Sequence, residues 1–137
     1  MQSLSPELYA RLHQLAARYA DQHIAEYRRD VRRNARLGVD ALCFQWHAQG
    51  LLGILITPVS LSLLLVEPEA EHEESRRVEE RVLELPSGRY LLRGEWVAGE
   101  GPIWRCELLD GLEDIEDMLE ASRLAQRVMR QVMSESS

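Results

Sequence analysis

A chain of 137 residues, 45% of them apolar, is the size of one domain and can bury a core without a metal or disulfide staple. A net charge of −7 argues against nucleic-acid and anionic-membrane binding and suits basic partners, although solubility alone also accounts for it. All sixteen basic residues are arginine, and they are unevenly placed: residues 1–40 hold seven against five acids (+2), and the remainder nine against eighteen (−9).

Ser5 and Pro6 start a helix, as a capping hydroxyl followed by a proline at the first helical position. Leu8, Leu12, Leu15 and Tyr19 follow at helical spacing, and Ile24 and Tyr27 extend the stripe. The helix is expected to end among Arg28, Arg29, Arg32, Arg33 and Arg36, before Gly38, where cations complement its dipole. From residue 39 the period becomes two, with Leu42, Phe44 and Trp46 alternating against Ala41, Cys43 and Gln45. Leu51 to Pro58 reads as a more fully buried strand, and Ser60 to Val66 as another. An acidic loop spans 67–75, and Val78 to Leu85 reads as a strand rich enough in Glu and Arg to be helical instead. Pro86-Ser87-Gly88 is a turn, and strands at Arg89–Val97 and Pro102–Leu109 flank the hairpin turn at Ala98–Gly101. The last helix is expected to open at Asp110-x-x-Glu113, a capping-box pattern, and to bury Ile115, Met118, Leu119, Ala125, Val128, Met129 and Val132.

This order predicts a single α+β domain over 1–137, ordered from about 5 to 133, with a fraying tail at 134–137. About five mainly antiparallel strands are flanked by an N-terminal and a C-terminal helix packed on the sheet. Both helices are expected on one face, leaving the other partly open.

The search for chemistry finds no GxSxG elbow, Walker loop, GxGxxG or HExxH, so no catalytic residue and no cofactor site is expected. His13, His23, His47 and His72 stand in four unrelated contexts. Cys43 and His47, four apart on a strand, would be about 13 Å from each other, too far to chelate a metal. Cys43 and Cys106 form no CxxC pair and are expected as unpaired thiols without metal. The N-terminus lacks a basic-then-apolar signal, and the run Leu51–Val66 is too interrupted to span a membrane. A cytoplasmic protein without membrane insertion is expected.

Asp110, Glu113 and Asp114 are accounted for by the start of the last helix, which leaves Glu116, Asp117 and Glu120 as candidates for contact with a basic partner. Trp46, Trp96 and Trp104 are core residues by default and become partner anchors where a sheet face exposes them.

Three segments in order, Gly53-Ile-Leu-Ile-Thr-Pro58, Leu85-Pro-Ser-Gly88 and Trp104-Arg-Cys-Glu-Leu108, resemble the HybE family of nickel-iron hydrogenase assembly chaperones. That family carries a "VTP" or "ITP" strand, an "LPxG" turn and a "cSL" strand at comparable spacing inside a two-helix frame, and the similarity spans about residues 8–133. Val59 stands where the family usually has Trp, and Leu109-Asp110 where it usually has a small residue and Pro. The rubredoxin-like extension of some relatives has no counterpart here, because paired CxxC motifs are lacking. The resemblance implies a binding protein, not an enzyme. Its clients would be the small-subunit precursor with its twin-arginine signal and the maturing large subunit, before export. Thr57, Pro58, Pro86 and Gly88 match the motifs, and their expected role is to set a strand end and a turn.

An acidic adaptor such as a secretion-type chaperone for another basic client is the competing class. Such proteins usually dimerise through a helix, so a monomer in sedimentation would count against it. The sequence leaves the oligomeric state open.

Overall fold

The computed structural model describes residues 4–67 and 80–135. The order is α1 (Pro6–Arg29), β1 (Asp40–His47), β2 (Gly50–Ile56), β3 (Leu61–Val66), β4 (Glu80–Leu85), β5 (Gly88–Val97), β6 (Gly101–Leu109) and α2 (Met118–Val132). The ambiguous stretch before Leu85 is thus a strand from Glu80, and most of the expected acidic loop, with His72, lies outside the described residues.

Ser5 caps α1 as expected, its hydroxyl accepting from the Leu8 N–H at 3.2 Å. The helix stops earlier than the arginine cluster suggested. Asp30 leaves helical geometry, its N–H still bonded to the Glu26 and Tyr27 carbonyls, and its carboxylate takes the Arg32 N–H at 2.8 Å and the Arg32 guanidinium. An aspartate that bonds backbone two residues on is a turn former, so Arg32, Arg33 and Arg36 belong to a connection and not to a last helical turn.

All strand pairs are antiparallel, in the order β1-β2-β3-β6-β5-β4, which makes six strands where about five were expected. The helices lie on opposite faces, which corrects the one-face arrangement. Leu12, Leu15, Ala16 and Tyr19 of α1 pack with Leu51, Leu55, Leu64, Val97 and Ile103. Ala121, Ala125, Met129 and Val132 of α2 pack with Leu52, Ile54, Ile56, Leu63, Leu65 and Leu92. Every residue from Leu51 to Ile56 is buried, because β2 has a helix layer on each side. Each fully buried Leu or Ile contributes roughly 1.5–3 kcal/mol relative to exposure, so these central strands anchor the molecule.

β1 carries a bulge, since Leu42 pairs with Ile54 and Gln45 with Leu52, leaving Cys43 and Phe44 both opposite Gly53. Cys43 sits at φ 61, left-handed backbone that a residue with a Cβ seldom adopts. The simple alternation therefore fails here: Leu42 and Cys43 both pack towards α2, while Ala41 and Phe44 pack towards α1.

α2 reaches both ends of the strand order. A groove of about 440 Å³ separates it from the bulge, between Cys43–Gln45 and Gln126, Met129, Arg130 and Met133. Its last turn is bonded to Ser87 between β4 and β5. The sheet curls around this helix.

Candidate functional site

The three sequence motifs prove to be fasteners of the frame. Thr57, 1% exposed, closes the turn between β2 and β3, its hydroxyl oxygen accepting from the Val59 and Ser60 N–H groups at 3.1 and 3.0 Å. Pro58 is buried, and its carbonyl accepts from the Asn34 N–H at 2.8 Å. Asn34 in turn donates its side-chain amide to the Leu112 and Ile115 carbonyls at 2.8 and 2.7 Å. One buried amide thereby joins three connections that are far apart in sequence.

Ser87 does similar work at the second motif. Its hydroxyl lies 2.6 Å from the Val132 carbonyl and 2.6 Å from the Tyr90 hydroxyl, tying the end of α2 to the turn. Pro86 and Gly88 are exposed, and Gly88 sits at φ 145, which favours glycine.

The third motif faces both layers. Trp104 is 6% exposed on the α2 side, and the Arg81 guanidinium carbon lies 3.8 Å from its ring centroid, paired in turn with Glu67. On the α1 side Arg105 bonds Glu95 at 3.0–3.2 Å and the Ser62 hydroxyl at 2.8 Å. Burial is the largest single influence and works against the Arg105 charge, but the Glu95 hydrogen bond and the neighbouring Tyr19, Glu95 and Glu107 together outweigh it and hold the guanidinium above its usual pKa. Tyr19 donates to the same carboxylate at 3.3 Å, and burial pushes its phenol far up. This is a satisfied internal pair under a helix.

The acidic candidates divide differently from the sequence expectation. α2 begins at Met118, and its cap is Asp117, whose carboxylate accepts from the Glu120 N–H at 2.8 Å. Glu120 accepts from the Glu116 N–H at 3.0 Å. Asp117 and Glu120 are therefore engaged in the helix start that had been assigned to Asp110 and Glu113. Glu107, Asp110, Glu113, Asp114 and Glu116 are the exposed acids of the strand end and loop before α2, and Asp110 lies 3.6 Å from Arg32. Trp96 is half-buried, and its backbone carbonyl accepts from the Gln22 side-chain amide. Trp46 is partly exposed at the edge strand.

A match to the family model described as nickel-iron hydrogenase assembly, chaperone, HybE covers residues 10–137. The chain belongs to the HybE family of hydrogenase assembly chaperones. It is 35% identical over 106 residues to the hydrogenase expression/formation protein HupT of Azotobacter chroococcum mcd 1, covering 75% of this chain and 69% of that one. The solution structure of HybE from Escherichia coli shares the fold, with a TM-score of 0.64 at 22% identity, over 86% of this chain and 75% of that one.

The two-helix, curled-sheet frame is thus the frame of a hydrogenase assembly chaperone, and hydrogenase subunits are its partners. Cys43 and Cys106 are free and half-buried, and burial raises both thiol pKa values, which keeps them protonated near neutrality. Among the described residues no three His, Cys, Asp or Glu side chains cluster as metal ligands, and no helix is long and apolar enough to cross a membrane. His13 lies 3.8 Å from Asp40, His23 3.3 Å from Glu26, and the His47 ring accepts from the Gln49 N–H. Sequence reasoning missed Asn34 and the Glu95–Arg105 pair. Their partners lie between 10 and 81 residues away, so only the fold brings them together.

Proposed function

We propose that this chaperone holds the precursor of a nickel-iron hydrogenase small subunit in the cytoplasm, recognising its twin-arginine signal, and keeps it available to the maturing large subunit. The observation that carries this reading is the exposed acidic stretch Glu107–Asp117 at the approach to α2, in a chain of a hydrogenase-assembly family. Clustered exposed carboxylates attract a basic signal and speed its association, and the attraction weakens with salt. Asp117 and Glu120 hold the helix that presents this stretch, Glu116 contributes charge, and Thr57, Pro58, Pro86 and Gly88 set the turns that fix the frame. The reading assigns no catalysis, cofactor or metal to the chain.

Charge alone would admit any arginine-rich peptide, so an apolar contact must read the rest of the signal. Val82 and Leu91, paired across β4 and β5 and 54% and 57% exposed, offer such a patch on the sheet face away from α2. Trp104 supports the strands from the α2 side as part of the core, and half-buried Trp96 stands on the neighbouring strand β5.

The test is recovery of the small subunit from a hydrogenase-expressing host on the immobilised chaperone. The signal is left intact, has its twin arginines replaced by lysines, or is deleted. Recovery should fall in that order. Equal recovery of all three forms would remove the signal from recognition, and recovery of none would refute the client.

A further inference from the structure

Between the C-terminal half of α1 and the connection to β1 lies a groove of about 350 Å³, lined by Ile24, Arg28, Arg33, Leu37, Val39 and Pro58. Its size is at the lower end of the range of about 300–1,000 Å³ for ligand sites, room for a few side chains and not for a domain. One wall is apolar and open to solvent, with Ile24 44% exposed. Pro58 lies in the turn that Thr57 and Asn34 hold fast, so the floor is rigid before anything binds.

The rim carries the opposite sign from the rest of the molecule. Five arginines stand between residues 28 and 36, and Arg32 pairs with Asp30 and Asp110. Among the described residues the side chains of Arg28, Arg29, Arg33 and Arg36 have no carboxylate within ion-pair distance. The helix dipole accounts for Arg28 and Arg29, which stand in the last turn of α1. It does not account for Arg33 and Arg36, which lie beyond the helix.

We propose that this groove docks a segment of a partner protein in which one or two large apolar side chains are flanked by aspartate or glutamate. The apolar side chains lie against Ile24, Leu37, Val39 and Pro58, and the flanking carboxylates meet the guanidinium forks of Arg28 and Arg33. A twin-arginine stretch is excluded from this groove by charge. The inference goes beyond the proposed function and stands without it, because it concerns a second surface, of opposite sign, whatever protein carries the segment.

Two labelled synthetic peptides test it by fluorescence polarisation with the full chain: a short leucine core flanked by Asp and Glu, and the same core flanked by Arg. The acidic-flanked peptide should bind more tightly and lose affinity as salt rises. Ile24→Glu should weaken it by about tenfold, as loss of an apolar anchor does. Arg28→Glu with Arg33→Glu should transfer the preference to the basic-flanked peptide. Arg28→Gln with Arg33→Gln, which leaves the apolar wall untouched, should weaken the acidic-flanked peptide without that transfer. Unchanged thermal unfolding certifies the fold of each variant. Equal binding of both peptides, or binding of the acidic-flanked one that none of these variants alters, would overturn the proposal. A dimer in sedimentation that Ile24→Glu abolishes would overturn it too, by assigning the groove to a second copy.

Discussion

Gly53 has no side chain, and the Phe44 ring fills the space where one would stand. A Cβ there would lie 2.6 Å from ring carbons, well inside contact distance. Gly53→Ala should therefore destabilise the fold by about 1–3 kcal/mol in urea unfolding, and Phe44→Leu in the same chain should recover part of the loss. An unrelieved loss in the double variant would show that backbone, not the ring, objects. Asn34 is a second position where one side chain decides much. Asn34→Ala strands the Leu112 and Ile115 carbonyls and should cost about 1–3 kcal/mol, and Asn34→Asp, which turns an acceptor towards both, should cost more. Burial pushes the Tyr27 phenol up to about 12 from an ordinary 10.0. The fold favours the neutral form, so this contribution is complete below pH 10 and is lost as pH rises through 10 towards 12. Urea unfolding across that window should show stability falling less steeply in Tyr27→Phe than in the parent chain.

At the scale of elements, the strands and the start of α1 were legible because their signals are local: an apolar period, a proline, a capping serine. The start of α2 was not. Asp110-x-x-Glu113 and Asp117-x-x-Glu120 are equivalent capping frames in sequence. The second is used because Leu112 and Ile115 are held by Asn34, 78 and 81 residues away. Asp117→Ala should cost about 1 kcal/mol, while Asp110→Ala and Glu113→Ala should stay within about 0.5 kcal/mol. The reverse ranking would move the helix start back to Asp110. The bulge at Cys43 was hidden for a similar reason, since only the facing Gly53 leaves room for Phe44. The placement of the helices has a local signal as well. Leu51 to Ile56 are apolar at consecutive positions, and such a strand needs cover on both faces.

For the whole molecule, the family was carried by three motifs whose residues mostly hold turns and strands rather than contact a client. The candidate acids were only half legible, because a carboxylate that caps a helix and one that waits for a partner look alike in sequence. The structure shifts the useful substitutions accordingly. Glu113→Gln, Asp114→Asn and Glu116→Gln together should slow association with a signal-bearing client and flatten its salt dependence while leaving unfolding unchanged. Asp117 and Glu120 would confound that experiment by weakening α2. The central claim is preference for the signal-bearing precursor. Calorimetric titration of the purified chaperone with the small-subunit precursor and with the mature small subunit measures it directly. The precursor should bind at least about tenfold more tightly, a difference of about 1.4 kcal/mol that narrows as salt rises. Equal affinity for the two forms would contradict the account.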